Sequence, residues 1–122
     1  MTDEEFRLDV VVRDGRQWVV VHGELDLATA PLLDEAFADR LSDPGPSVVV
    51  DLERCTFMDS SGVRAIVRFG SRAAREGRPV AIVAAPGSPS RFTLDLLGVG
   101  DAIPLHDSAE RLLADGDRAD SA

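Results

Sequence analysis

The first residues of the chain alternate between apolar and mostly charged side chains, which is typical of a β-strand. The apolar positions are Phe6, Leu8, Val10 and Val12. A period of two places the two sets on opposite faces of a sheet. Asp14-Gly15 then predicts a tight turn, because both residues tolerate positive φ. The apolar run that begins at Trp18 predicts the returning strand of a hairpin, which continues to Leu25.

Two longer segments repeat apolar residues at helical spacing, with a short apolar run between them. The first helical segment follows Thr29 and Pro31 and ends before the break at residues 42–47. Val48-Val49-Val50 then predicts a buried strand, because β-branched residues bounded by polar ones favour that structure. The second helical segment covers residues 62–75 and is followed by a glycine at the usual C-terminal position.

The last third of the chain repeats this alternation in shorter pieces. Val80 to Ala85 predicts another strand, and Phe92 to Leu97 predicts a short helix. Ile103 and Leu105 indicate a brief edge strand, and a last helix begins near Asp107 or Ser108. Residues 116–122 are predicted to form a flexible polar tail.

The predicted order is β-β-α-β-α-β-α-β-α, in a single domain over residues 1–122 with its core between about residues 6 and 114. Strands separated by helices pair in parallel with right-handed crossovers. We therefore expect an α/β fold with a small, mixed, mostly parallel sheet, its first strand antiparallel at one edge and its helices packed mainly on one side. The strands ending near Asp26, Asp51 and Ala85 then share one edge, which brings Asp26 close to Ser60.

Composition narrows the function. The chain carries 22 acidic and 13 basic residues, a formal charge of -9, which opposes binding to nucleic acid or to an anionic membrane. Every basic residue is Arg. The absence of Lys excludes a Walker A loop, a Schiff-base lysine and a Ser–Lys dyad.

The cysteine, the N-terminus and the histidines point to a cytoplasmic protein without a metal. Cys55 is the single cysteine, so an intramolecular disulfide is excluded, as fits a reducing compartment. The N-terminus is acidic, and no apolar run approaches the roughly 18–20 residues that span a bilayer. His22 and His106 lack partners at ligand spacing, so we expect no metal site.

The junction Asp59-Ser60-Ser61-Gly62 is the candidate functional site, because it lies where a buried strand gives way to a helix. In open α/β sheets, functional sites tend to lie beyond the carboxyl ends of the strands. The same four residues, taken alone, are also an ordinary helix N-cap. Asp26 can act in function or orient the loop that follows it, and the two roles are compatible. Gly62 can serve close backbone approach or a small contact surface, and Ser61 suits capping better than phosphorylation.

Two motifs are distinctive when they occur together. One is Gly23-Glu24-Leu25-Asp26. The other is Asp51-Leu52 followed by Phe57-Met58-Asp59-Ser60-Ser61-Gly62. With both motifs, the chain resembles the STAS domain family, in particular the stand-alone anti-sigma factor antagonists of bacteria. The resemblance covers about residues 6 to 114. It implies a protein that is not an enzyme and that regulates sigma-factor-dependent transcription by binding another protein.

The resemblance also implies a phosphorylation switch at Ser60, the serine directly after the aspartate. The implied partners are an ATP-binding anti-sigma factor, which is also the serine kinase, and a phosphatase that acts on phospho-Ser60. The unmodified form binds the anti-sigma factor, and the phosphorylated form does not. The chain needs no cofactor, since ATP is used by the kinase. The implied partner-binding residues are Asp26, Asp59, Ser60, Ser61 and Gly62.

Electrostatics predicts how such a switch works. A phosphoserine adds about -1.5 to -2 charges at neutral pH. The positive end of a helix and its free N–H groups tolerate that charge, and Arg64 lies one turn beyond Ser60. The fold should therefore survive modification, while repulsion from Asp59 and Asp26 and the cost of desolvating phosphate should weaken partner binding.

Three other functions are alternatives to this hypothesis. A receiver-like phosphoacceptor at Asp51 is excluded, because receivers require a lysine. A serine hydrolase is disfavoured, because the chain has no G-x-S-x-G elbow and neither histidine has an orienting partner. A STAS module that acts as a scaffold or ligand sensor without phosphorylation stays open.

Overall fold

The computed structural model describes residues 5–41 and 45–120 of the chain, with side chains up to residue 114. Its strands are β1 (Arg7–Arg13), β2 (Arg16–Leu25), β3 (Val48–Asp51), β4 (Cys55–Met58), β5 (Val80–Val83) and β6 (Leu105–His106). Its helices are α1 (Ala30–Asp39), α2 (Ser60–Arg75), α3 (Pro89–Leu96) and α4 (Ala109–Asp120), and a 3-10 turn covers Val99–Asp101. The predicted α/β class is confirmed. None of these helices is long and apolar enough to cross a membrane, within the part of the chain that was described.

The sheet is mixed and mostly parallel, as predicted. The strand order is β1-β2-β3-β5-β6, and β4 pairs with β2 outside this path. Only the β1–β2 pair among the described strands is antiparallel, and it lies at one edge. Parallel pairing of β2, β3 and β5 directs their carboxyl ends to one side of the domain, although β2 continues to Leu25, five residues past its last pair with β3.

Strand β4 was missed by the sequence analysis, which predicted no element between the Val48 strand and the helix over residues 62–75. Its burial does not alternate, since Cys55 and Met58 are buried while Thr56 and Phe57 are exposed. The strand forms because β2 is ten residues long, whereas β3 pairs only with residues 17–20. The free end of β2, Gly23–Leu25, then accepts β4 as a parallel neighbour. Tertiary pairing, and not a local pattern, therefore creates this element.

The end of the chain also differs from the prediction. The expected polar tail began at residue 116, but α4 continues to Asp120. A single glycine at position 116 costs a helix only about 1 kcal/mol, so it does not have to end one.

Three helices cover one face of the sheet and α4 covers the other, which agrees with the prediction of helices mainly on one side. The larger core joins strand residues such as Val19 and Val50 to α1, α2 and α3. Within it, the rings of Phe37 and Phe69 stack with centroids 4.0 Å apart, which ties α1 to α2. On the other face, a smaller cluster of Trp18, Val49 and Val83 packs on Leu112 of α4.

Asp51, the last residue of β3, is buried and shapes the turn that leads into β4. Its Oδ1 accepts a hydrogen bond from the backbone N–H of Glu53, at 3.0 Å. Burial raises the pKa of the Asp51 carboxyl, while the Glu53 amide and nearby arginines oppose that rise. The motif residue Asp51 therefore serves the loop that places β4 beside β2.

Gly62 sets how closely α2 approaches the sheet. A Cβ atom at this position would lie 2.7 Å from Cγ of Leu25 and 3.0 Å from Cγ of Met58, well inside contact distance. These neighbours belong to the paired ends of β2 and β4. Of the two roles left open for Gly62, the structure therefore supports close approach.

We expect Gly62→Ala to lower the free energy of unfolding by about 1–3 kcal/mol, because the added methyl group must displace two packed core side chains. Urea denaturation followed by circular dichroism measures the change. The matched control is Ser60→Ala, two positions earlier on the same helix, where the side chain is exposed and the change should stay within about 0.5 kcal/mol. Equal midpoints for the two variants would contradict the packing argument.

Candidate functional site

Asp59 caps α2 and fixes the geometry of the whole junction. Its backbone is extended, with φ -107° and ψ -173°, so the helix begins at the next residue. Its Oδ1 accepts hydrogen bonds from the backbone N–H groups of Ser61, at 2.8 Å, and Gly62, at 3.4 Å. The side chain thus satisfies two of the amides that a helix leaves unpaired at its start.

The ends of β2 and β4 hold this cap next to Asp26. Leu25 and Met58 are partners in the parallel ladder, and the N–H of Asp59 donates to the carbonyl of Leu25 at 3.2 Å. The residues that follow the two strands, Asp26 and Asp59, therefore leave the sheet from adjacent positions. The predicted proximity of Asp26 to the Ser60 junction follows directly from this pairing.

Asp26 orders the loop between β2 and α1. Its Oδ1 accepts from the backbone N–H groups of Ala28, at 3.0 Å, and Thr29, at 3.2 Å. The hydroxyl of Thr29 accepts from the Asp26 N–H at 2.9 Å and donates to the carbonyl of Glu24 at 2.8 Å. Thr29 holds the N-cap position of α1, yet its side chain bonds back toward β2 instead of capping the helix. The Asp26 carboxylate is thus already committed to local structure.

The three residues after the cap differ sharply in accessibility. Ser60 is exposed in the first turn of α2, Ser61 is half-buried and Gly62 is buried. Of the two hydroxyls, that of Ser60 is thus the accessible one. Gly62, with its backbone turned into the core, offers a partner little surface.

One part of the electrostatic prediction needs correction. The sequence analysis assumed that free N–H groups at the start of α2 would receive a phosphate on Ser60. The amides of Ser61 and Gly62 are already bonded to the Asp59 carboxylate. A phosphate on Ser60 would therefore lie near the Asp59 carboxylate and not on free N–H groups. Its charge would face solvent.

A groove of about 230 Å³ lies beside the junction, between the start of α1 and the first two turns of α2. It is lined by Leu27, Ala30, Pro31, Asp34, Ser61, Arg64 and Arg68. Arg68 closes one end through an ion pair with Asp34 at 2.8 Å. Among the described residues, Arg64 has no recorded ion pair or hydrogen bond, so its guanidinium is available one helical turn beyond Ser60.

Exposed apolar side chains surround the same end of the domain, and sequence reasoning did not single them out. Leu27 in the loop after β2 is 74 % exposed, and Phe57 on β4 is 44 % exposed. On α3, Phe92 and Leu96 are 67 % and 71 % exposed. The hydroxyl of Thr93 ties that helix to the site by donating to the carbonyl of Met58 at 3.0 Å. The sequence did contain a signal for this exposure. Phe92 and Leu96 are four residues apart, on one face of a helix that is too short to bury two faces.

The arrangement presents a hydroxyl without the groups that would make it a nucleophile. The described hydrogen bonds of the junction join the Asp59 carboxylate to backbone amides, or one backbone group to another, and neither histidine takes part in them. No group of three or more His, Cys, Asp or Glu side chains that could hold a metal ion was found in the described ranges. The geometry suits a residue that another protein modifies or contacts.

Comparison with known proteins agrees with this geometry. The sequence profile of the family described as "Mlab, STAS domain" matches residues 9–113. Over 97 residues the chain is 28% identical to the anti-sigma-F factor antagonist RsfB of Mycobacterium tuberculosis, which covers 79% of this chain and 77% of RsfB.

Solved structures show the same fold. An anti-sigma factor antagonist from Mycobacterium paratuberculosis superposes with a TM-score of 0.79 at 27% identity, covering 90% of this chain and 92% of that one. The Bacillus cell fate determinant SpoIIAA in its phosphorylated form gives a TM-score of 0.64 at 20% identity, covering 94% and 99%. From the match over residues 9–113 and these likenesses, the chain belongs to the STAS domain family and is homologous to anti-sigma factor antagonists.

Proposed function

We propose that the chain is an anti-sigma factor antagonist that binds its anti-sigma factor through the Ser60 junction and is released when Ser60 is phosphorylated. The observation that carries the proposal is the exposed hydroxyl of Ser60 on a helix start that the Asp59 carboxylate holds in place. Homology to RsfB supports the class of partner. As proposed, the protein acts in the cytoplasm and is not an enzyme.

The scaffold is suited to survive the modification. In the cap, backbone amides donate to the Asp59 carboxylate, and the Ser60 side chain takes part in none of the recorded hydrogen bonds of the described residues. Adding a phosphate to an exposed side chain in the first turn leaves the packing of Gly62 on Leu25 unchanged. The switch therefore acts on the surface that the partner meets, and not on the core.

The charges around Ser60 raise the free-energy cost of burying a phosphate there in the interface with a partner. The Asp59 carboxylate lies next to it in sequence and Asp26 follows the adjacent strand, in a chain with a formal charge of -9. A partner that fits a neutral hydroxyl must then desolvate a group carrying about -2 charges. A penalty of about 3 kcal/mol weakens binding by roughly a hundredfold. Arg64, in the groove, offers partial compensation within the free protein.

The proposed partners are those that the family resemblance implies. The anti-sigma factor is a serine kinase of the ATP-binding type, so ATP belongs to the partner and this chain holds no cofactor. A phosphatase that removes the phosphate from Ser60 restores binding. The exposed apolar side chains Leu27 and Phe57 give a protein partner the hydrophobic contact that such interfaces use at their centre.

A scaffold or ligand sensor without phosphorylation is the alternative function. The groove beside the junction, at about 230 Å³, is smaller than the usual 300–1,000 Å³ of small-molecule sites. Its size therefore favours a protein partner over a small ligand.

The switch can be tested with substitutions at Ser60. Incubation with the partner kinase and ATP should add one phosphate to the wild type, located at Ser60 by mass spectrometry. Ser60→Ala should take up no phosphate and bind the anti-sigma factor whether or not ATP is present. Ser60→Asp should bind at least about tenfold more weakly, a loss of about 1.4 kcal/mol.

Ser61→Ala is the matched control, because Ser61 is the neighbouring hydroxyl and is half-buried. It should be phosphorylated as the wild type is. Stoichiometric phosphate on Ser60→Ala would refute the assignment of the acceptor. Binding by the phosphorylated wild type as tight as by the free protein would refute the switch.

A second pair of substitutions separates the two roles of Asp26. Asp26→Asn keeps an oxygen that can accept from Ala28 and Thr29, so we expect both stability and partner binding to stay near wild type. Asp26→Ala removes that acceptor and should cost about 1 kcal/mol of stability. Thermal denaturation and isothermal titration with the anti-sigma factor measure the two effects. Lost binding with intact stability in Asp26→Asn would mean that the carboxylate contacts the partner directly.

A further inference from the structure

The outer edge of β1 carries an unusual concentration of exposed apolar residues. In the described sheet, β1 pairs with β2 alone and forms one edge. Val11 is 46 % exposed and Val12 is 74 % exposed, in a run of three valines. Edge strands present unpaired backbone groups and are usually protected by charges, proline or bulges. The three valines, Val10 to Val12, have none of these.

The hydrogen-bond pattern fixes which backbone groups face outward. The N–H of Gln17 donates to Ser47, away from β1, so the odd-numbered residues of this part of β2 face β3. Their partners in β1 are Leu8, Val10 and Val12. In an antiparallel ladder, the partners in these pairs do not hydrogen-bond to each other. The N–H and C=O groups of the three β1 residues therefore point away from β2, toward the free edge of the sheet. Consistently, the guanidinium of Arg40 donates to the carbonyl of Leu8 at 3.0 Å.

The strand is complementary to itself in one antiparallel register. With a two-fold axis at Val11, Val10 lies opposite Val12 of a second copy, and these outward-facing residues exchange two backbone hydrogen bonds in each such pair. Asp9, whose carboxylate also bonds to Arg7 and His22 of its own chain, lies opposite Arg13 of the second copy, on the same face of the sheet as Val11. Opposite charges and paired valines both stabilise cross-strand neighbours.

The neighbouring registers lack this match. An axis at Val10 would place Arg7 opposite Arg13, and an axis at Asp9 would place that carboxylate opposite itself. Each of these arrangements sets like charges face to face, which destabilises a ladder. The Asp14-Gly15 turn and the Arg40 bond at Leu8 limit the free edge to about residues 9–13.

We propose that β1 pairs antiparallel with β1 of a second copy of this chain, with the two-fold axis at Val11. The interface is short, so the dimer is weak and depends on concentration. It leaves the Ser60 junction open, because Val11 pairs with Trp18, seven residues along β2 from Leu25, or about 23 Å at ~3.3 Å per residue. The dimer therefore displays two Ser60 junctions at once.

Sedimentation velocity of the full chain, from micromolar to millimolar concentration, tests the proposal. The wild type should show a reversible monomer–dimer equilibrium. Val11→Lys places two like charges at the axis and should raise the dimer Kd by about tenfold. The matched control is Leu97→Lys, since Leu97 is 50 % exposed and lies at the C-terminal end of α3, outside β1, and it should leave the Kd unchanged.

A charge exchange tests the register itself. Asp9→Arg and Arg13→Asp should each weaken self-association, because each sets like charges opposite one another in its own dimer. An equimolar mixture of the two variants should restore dimers, because every facing pair is then of opposite sign. Thermal melting of each variant confirms that it folds. A monomeric wild type throughout the range, equal effects of the two lysine substitutions, or no recovery on mixing would overturn the proposal.

Discussion

The position of Ser60 on the surface depends on two hydrogen bonds that one carboxylate, that of Asp59, accepts. The Asp59 side chain holds the amides of Ser61 and Gly62, so α2 starts at a fixed point and in a fixed direction. Ser60, placed between the cap and its amides, projects its hydroxyl outward without contributing to the cap. A residue whose side chain has no role in folding can change its charge without changing the fold. This separation of the scaffold from the hydroxyl is what the proposed switch requires.

The cap in turn depends on how the sheet ends. Strand β2 extends past β3, and β4 fills the space beside it, which brings Leu25 against Met58 and leaves Asp26 beside Asp59. Gly62 lets the helix settle onto that pair, since any larger residue would meet Leu25 first. The two family motifs therefore contact each other, one at the end of β2 and the other at the end of β4. Within this contact, the carboxylate of Asp26 is occupied by its own loop, through the amides of Ala28 and Thr29.

The fold class and the position of the site could be predicted because both follow from local periodicity and parallel pairing. The alternation near Val10, the run at Val48 and the cap at Asp59 are each visible within a few residues. Strand β4 could not be predicted in that way, because it exists only through the overhang of β2. The same holds for Phe92 and Leu96, whose exposure depends on which face of α3 meets the core. The cap itself could be predicted, but the choice of the Ser61 and Gly62 amides could not, because it depends on the orientation of the Asp59 side chain.

One measurement tests directly whether phosphorylation changes only the surface around Ser60 and leaves the fold as it is. Backbone amide chemical shifts can be recorded by NMR for the free protein and for the protein phosphorylated at Ser60. The account predicts shift changes confined to the first turn of α2, the end of β4 and the loop after β2. Large changes in β5 or in α4, which packs on the other face of the sheet, would mean that phosphorylation refolds the domain and would contradict the account.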